Sequence, residues 1–387
     1  MSLILYQDMF KKYISFLMVL LTGVSFSLIL LGTRLFFPEK LVDMVYFQSV
    51  VVFFTFILQL GLRAGGRIHI HLDRLKTVDY VTSYVTRNCW KLGGLSSLFV
   101  VLIDIPFYPS FIILQAVLSY LQGLYVAKKD SIMIFTNSFL IILSIFVAGG
   151  LIVFSASVPT TTLQIEIFSI FLLLGLSFNK VRKYRLGREK KLFILLINRY
   201  KGLQYSSYIV YLTAFIFAQI FVFIGKNNQD IISLYADVVL VSGLQLMVAS
   251  KILVFIEGDI IKNKSFRKYI IFYLAWCILS SFLFSFMYSH FINPNFLYTV
   301  FFLSVVTLSK LAFSFCAQFV NLSARNYIYK LGLVPVVIYS LLYLLLNFDH
   351  SILNVSQLSV ILCCFSGLSL SLSLLVLDGQ RQKSIFI

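Results

Sequence analysis

The chain has 387 residues, of which 60% are apolar and 12% are charged, and its formal net charge is +17. The mean hydropathy is +0.94. A compact soluble fold of this length has too little interior to bury so much apolar surface. The composition therefore excludes a soluble enzyme, a disordered chain and a disulfide scaffold. Because the apolar runs are long and continuous, they favour an all-α integral membrane protein over a β-barrel.

A helix needs about 20 mostly apolar residues to cross a bilayer, and the chain offers twelve such segments. In chain order they are 13–36, 41–62, 88–107, 109–127, 131–154, 162–178, 204–224, 231–255, 269–290, 296–320, 331–347 and 353–377. Pro38, Pro159 and Pro294 mark turns between consecutive segments, and Pro106 and Pro109 mark the turn between the third and fourth. The sequence thus predicts about twelve transmembrane helices.

The distribution of basic residues predicts the orientation. With the N-terminus inside, 29 of the 32 Lys and Arg residues fall on the inner face. The outer face has only Arg34, Lys40 and Lys226. Such a bias is typical of cytoplasmic loops, so both termini are expected in the cytoplasm. Since insertion explains the positive charge, nucleic acid is not an expected partner.

The most basic connection, 179–203, lies between the sixth and seventh predicted spans, and seven of the twelve residues from Lys180 to Lys191 are basic. One interpretation is a topogenic loop with an interfacial helix on anionic lipid. The alternative is a hinge between an N-terminal six-helix half (1–178) and a C-terminal six-helix half (204–387). The two halves would then surround a central cleft.

Polar residues recur along one face of the second, fourth, eighth and tenth predicted spans, where each step along a helix turns about 100°. They are Gln48, Thr55 and Gln59 with Arg63 beside them, Gln115, Ser119 and Gln122, then Asp237, Gln245 and Lys251, and finally Thr307, Lys310, Ser314, Gln318 and Asn321. Spans two and eight, and four and ten, are six spans apart, as a duplicated unit lining one cleft would be. The alternative is ordinary hydrogen bonding between helices.

Other polar residues carry weaker expectations. Asp43, Asp104 and Glu166 are expected near the outer interface, where water would solvate them. His69 and His71 form the only close histidine pair, but no second ligand cluster accompanies them, so no metal site is expected. The five cysteines lie in or beside apolar runs and are interpreted as small core residues.

Four short stretches carry a resemblance to a known family. They are Leu30-Leu31-Gly32-Thr33-Arg34-Leu35-Phe36-Phe37-Pro38-Glu39, Leu60-Gly61-Leu62-Arg63, Leu121-Gln122-Gly123-Leu124 followed by Lys128-Lys129, and Leu234-Tyr235-Ala236. The chain resembles the polysaccharide flippases of the Wzx type, within the multidrug/oligosaccharidyl-lipid/polysaccharide exporter superfamily. In place of the Gly-Tyr or Gly-Leu pair frequent in that family, this chain has Met44-Val45-Tyr46-Phe47.

The resemblance implies a bacterial inner-membrane flippase for an undecaprenyl-pyrophosphate-linked O-antigen-type repeat unit, not an enzyme. Its partners would be the lipid-linked oligosaccharide, membrane lipid and other polysaccharide-assembly proteins. It implies no cofactor and leaves a coupling ion, H⁺ or Na⁺, open. The alternatives are a cation-coupled drug exporter of the same superfamily and a membrane glycan polymerase.

Specific roles follow for the polar residues. Arg34, Arg63, Lys251 and Lys310 would attract pyrophosphate or acidic sugars, and Asp237 would pair with a lysine or carry a coupling proton. The residues expected to exchange hydrogen bonds with sugar hydroxyls are Gln48, Gln59, Gln115, Gln122 and Gln318.

Overall fold

The computed structural model describes residues 2–59, 62–71, 74–103, 107–155, 157–178 and 189–199, and scattered positions between 212 and 290. This part of the chain is almost entirely helical and contains no β-strand, which confirms the all-α prediction. The helices are α1 (Ser2–Phe36), α2 (Leu41–Leu58), α3 (Leu62–His71), α4 (Leu75–Ile103), α5 (Pro109–Lys128), α6 (Ser131–Phe154), α7 (Val158–Phe178) and α8 (189–199).

Five helical stretches in the described ranges are long and apolar enough to cross a membrane. They are Tyr13–Phe36, Pro38–Leu58, Pro109–Lys128, Ser131–Phe154 and Pro159–Ser177. These stretches confirm the prediction of a membrane protein and agree within a few residues with spans one, two, four, five and six. The predicted spans seven to twelve fall almost wholly outside the described residues.

The third predicted span, 88–107, is not among these five stretches. Residues 88–103 form the second half of α4, a longer helix that begins at Leu75. The first part of α4 is too polar for a membrane span, yet it stays helical because Val78 and Val81 are completely buried against the rest of the molecule. Packing of an amphipathic face thus extends the helix beyond its apolar section.

The reversal between α1 and α2 is made by Pro38. The last turn of α1 closes with a hydrogen bond from the Phe37 amide to the Thr33 carbonyl, at 2.8 Å. Proline lacks an amide hydrogen and cannot continue that pattern, so the chain enters a short 3₁₀ turn, Pro38–Lys40, before α2 begins.

The turn between α5 and α6 is equally short. Lys129 has a φ of 59° and ends α5 in a Schellman motif, in which the Asp130 amide donates to the Tyr125 carbonyl at 3.0 Å. The Asp130 side chain then caps α6 by accepting from the Met133 amide at 3.2 Å. Two residues therefore suffice to reverse the chain.

The chain divides into two compact units. The first comprises Met1–Ile29 and Val50–Lys201, and the second comprises Leu30–Ser49 and Gly202–Ile387. The centre of the first unit is α5, which contacts α3, α4, α6 and α7. Sixteen of the twenty residues of α5 are buried, so its polar side chains must find their partners within the protein.

Candidate functional site

The polar face of α5 points at neighbouring helices. The Gln115 side-chain amide donates to the Ser144 hydroxyl of α6 at 2.7 Å. The Gln122 amide donates to the Ser138 hydroxyl at 2.8 Å and to the Thr22 hydroxyl at 3.2 Å. Both glutamines are almost fully buried. These contacts are the helix–helix hydrogen bonds given above as the alternative, and a role for either glutamine in substrate binding stays a prediction.

The polar residues of the second predicted span lie in different surroundings. Gln48 is half-buried, whereas Gln59 is buried in the turn that ends α2. Thr55 is half-buried and its hydroxyl approaches the Ile112 carbonyl of α5 at 3.5 Å. Beside Gln48, the Ser49 hydroxyl accepts a hydrogen bond from Gln219 at 2.8 Å, a polar pair that the sequence analysis missed.

Arg63 lies at the start of α3 and packs across α5. A Cβ added to Gly123 would lie 3.0 Å from Arg63 Nε and 3.1 Å from its Cγ. A Cβ added to Gly66, also on α3, would lie 2.5 Å from Leu124 Cδ2. Glycine at these two positions therefore allows α3 and the Arg63 side chain to approach α5 closely. Arg63 is half-buried in this position.

Residues of three segments predicted to face the cytoplasm contact one another within the first unit. Lys128, at the end of α5, forms an ion pair with Asp79 of α4 at 2.7 Å. Arg87 of α4 forms a second ion pair with Glu189 of α8 at 2.9 Å. The tilted rings of Tyr84 and Phe193 lie 4.9 Å apart. Part of the predicted basic linker, 189–199, is therefore a helix docked against α4.

His69 is 3% exposed and belongs to α3. Burial lowers the pKa of its imidazole below the ordinary value, and the positive charges of Arg74 and Arg199 lower this pKa further. The folded protein therefore favours the neutral imidazole of His69. Among the described residues, no group of three or more His, Cys, Asp or Glu side chains is arranged to hold a metal ion.

Glu166 corrects one expectation. Solvation near the outer interface was expected, but Glu166 is 1% exposed and lies inside the bundle formed by α4, α5 and α7. Its Oε2 accepts from the Ser110 amide at 3.0 Å and forms a second hydrogen bond with the Ser97 hydroxyl. Ser110 is the second residue of α5, where backbone amides have no partner within the helix. Glu166 thus caps α5 from another helix.

Sequence reasoning could have found this cluster. Glu166 is the only charged residue in α7, and Ser110 follows Pro109, a residue typical of the first position of a helix. A lone carboxylate in an apolar helix and a free helix N-terminus complement each other chemically. Their proximity, however, depends on how α5 and α7 pack, which the pattern of apolar residues does not define.

The other predicted site residues are only partly placed. Arg34 is half-buried two residues before the end of α1. Asp237, Lys251, Lys310 and Gln318 lie outside the described residues, and their roles stay predictions.

The chain matches no protein-family model, and no curated protein or solved structure is significantly similar to it.

Proposed function

We propose that this chain is a twelve-helix flippase that moves an undecaprenyl-pyrophosphate-linked oligosaccharide, of the O-antigen repeat-unit type, across the bacterial inner membrane. Its two six-helix halves would give alternating access to a central cleft, with both termini in the cytoplasm. The observation that carries the proposal is the stretch from Leu30 to Glu39, which resembles the corresponding turn of Wzx-type flippases. In this chain the stretch forms the end of α1 and the proline turn before α2.

The chemistry of the cargo explains the need for such a protein. A sugar hydroxyl that enters hydrocarbon without a hydrogen-bond partner costs roughly 4–8 kcal/mol on an alkane scale. A repeat unit carries many hydroxyls and an anionic pyrophosphate, so it cannot cross unaided at a useful rate. A hydrated cleft supplies polar partners while the prenyl tail stays in lipid.

The proposal assigns two kinds of contact. Lys251, Lys310 and Arg63 would attract the pyrophosphate or acidic sugars, with Arg34 acting nearer the outer exit. The residues that would exchange hydrogen bonds with sugar hydroxyls are Gln48, Gln59, Gln115, Gln122 and Gln318. Asp237 would pair with a lysine or carry a coupling ion, H⁺ or Na⁺.

Two alternatives predict different features. A cation-coupled drug exporter of the same superfamily would favour acidic and aromatic residues in its cleft, whereas the polar faces of this chain include Lys251 and Lys310. A membrane glycan polymerase would carry a long outer loop, and no outer connection between the predicted spans exceeds about eight residues. Both features favour the flippase.

Lys310 provides the test of the cleft. Inserting a lysine at mid-span costs about 2.5–3.5 kcal/mol on insertion scales. A contact with the anionic substrate would explain why the chain has this charge there. We expect Lys310→Arg to keep most surface glycan in a deletion strain, and Lys310→Glu to lose most of it at equal membrane abundance. Lys330→Glu, the same charge change in a predicted inner loop, is the matched control and should keep the glycan. Normal glycan from Lys310→Glu would remove this residue from the substrate path.

A further inference from the structure

Glu166 has no cationic partner in the part of the chain that the structure describes. The charged side chains on the helices packed around it are Lys76, Asp79, Arg87 and Lys91 on α4 and Lys128 on α5, whereas α6 carries none. Asp79 pairs with Lys128 and Arg87 pairs with Glu189. The two remaining lysines, Lys76 and Lys91, are exposed. An ionised carboxylate buried in a membrane helix without a counter-charge is costly. The N-terminus of α5, which Glu166 caps, offsets only part of that cost, since a helix dipole contributes at most about 2 kcal/mol.

The hydroxyl groups beside Glu166 supply fewer hydrogen atoms than there are close contacts between oxygen atoms. Ser97 Oγ contacts Glu166 Oε2, Ser110 Oγ and the Gly93 carbonyl, and Ser110 Oγ contacts the same carbonyl at 2.9 Å. These are four contacts between oxygen atoms, and two serines supply only two hydroxyl hydrogens. If Glu166 were ionised, two of the four contacts would join oxygen atoms with no hydrogen between them.

One additional hydrogen on Glu166 removes most of this deficit. With a proton on Oε2, Glu166 donates to Ser97, Ser97 donates to Ser110, and Ser110 donates to the Gly93 carbonyl. Three of the four contacts then carry a hydrogen, and each hydroxyl both donates and accepts. The Ser110 amide still donates to Oε2 at 3.0 Å. Glu166 Oε1, which is buried without a hydrogen-bond partner among the described residues, becomes the carbonyl oxygen of a neutral acid.

We propose that Glu166, Ser97 and Ser110 form a proton-binding site inside the helical bundle, in which the proton resides on the Glu166 carboxyl and orders a chain of hydrogen bonds that ends at the Gly93 carbonyl. A hydronium ion of the solvent supplies the proton and leaves a water molecule, one O–H bond forms at Oε2, and the carboxylate becomes a neutral acid. A metal cation fits the site less well, because both hydroxyls contact their partners directly. The inference does not depend on the flippase proposal.

Infrared spectroscopy of the purified full-length chain tests this site without any transport assay. At neutral pH the wild-type protein should show the C=O stretch of a protonated carboxylic acid, and Glu166→Gln should remove that band. Asp43→Asn, the matched change at an exposed carboxyl of α2, should retain it. The proposal is overturned if Glu166→Gln instead removes the bands of an ionised carboxylate.

A second variant keeps the test decisive if Glu166→Gln does not fold. Ser97→Ala removes the acceptor of the proposed Glu166 hydrogen while leaving the carboxyl in place. The acid band should then persist and move to higher frequency, because the acid O–H has lost its hydrogen bond. An acid band at the wild-type frequency in Ser97→Ala would contradict the proposed chain.

Discussion

At the scale of single residues, His69 links the pH of the medium to the packing of α3. Its pKa is lowered by burial and then by the charges of Arg74 and Arg199, so the folded protein favours the neutral imidazole. In the unfolded chain the imidazole takes up a proton as the pH falls through about 6.5. The unfolded state therefore binds more protons than the native state below this pH, and the native state loses stability as the pH falls.

The loss of stability at low pH can be tested by replacing His69. The thermal stability of the wild-type chain in detergent should fall as the pH is lowered from about 7.5 towards the depressed pKa of His69. His69→Gln should flatten that dependence. His71→Gln, a half-buried position on the same helix, is the control and should keep it. An unchanged slope in His69→Gln would show that other groups produce the pH dependence.

Replacing Gln122 distinguishes a role in helix packing from a role in substrate binding. Its two hydrogen bonds to Ser138 and Thr22 join α5 to α6 and α1. Gln122→Leu should lower the free energy of unfolding by about 1 kcal/mol, since interhelical bonds in membranes average about 0.6 kcal/mol each. If Gln122 also contacts sugar hydroxyls, as proposed above, surface glycan should fall by more than any loss of membrane abundance explains. Glycan that follows membrane abundance alone would show that Gln122 serves helix packing and not substrate binding.

At the scale of helices, two adjacent glycines of α4 have different surroundings. A Cβ at Gly93 would lie 2.8 Å from Leu173 Cδ1 of α7 and 3.2 Å from the Ser110 hydroxyl. A Cβ at Gly94 would meet nothing within 4 Å. The close approach of α4 to α5 and α7 thus depends on the first glycine and not on the second.

This difference predicts opposite effects for matched substitutions. Gly93→Ala should destabilise the protein by about 1–3 kcal/mol through overpacking. Gly94→Ala should be neutral or stabilising by up to about 1 kcal/mol, because alanine favours the helix. Thermal unfolding of the two variants side by side measures the contrast. Equal midpoints would mean that α4 is not held close to α7 at Gly93.

The sequence predicted a helix well where a long apolar run or a proline marked it. The proline turns located the start of α5 at Pro109, and the apolar run located α6, because both signals are local. The polar first part of α4, from Leu75, lies outside the predicted span, because its helical structure depends on the burial of Val78 and Val81 and not on an apolar run. The burial of Glu166 was missed because it too depends on tertiary packing.

At the scale of the whole molecule, the basic residues and the contacts of the first unit agree. The sequence predicted that 63–91, 128–129 and 179–203 lie on one side of the membrane. In the described structure, Asp79 forms an ion pair with Lys128 and Arg87 forms one with Glu189, so the segment 63–91 contacts both of the others. Alternating helix directions bring these segments together. Which side of the membrane these segments face stays a prediction.

The central claim is that the chain moves a lipid-linked oligosaccharide from the inner to the outer leaflet. The most direct measurement is the leaflet position of the lipid-linked repeat unit in spheroplasts of a deletion strain, probed with a membrane-impermeant reagent that labels sugars. The account predicts that single repeat units accumulate, stay unlabelled until the membrane is permeabilised, and become accessible when the chain is expressed again. Single units that are already labelled from outside would indicate a missing polymerase and contradict the account, as would the absence of any accumulated lipid-linked glycan.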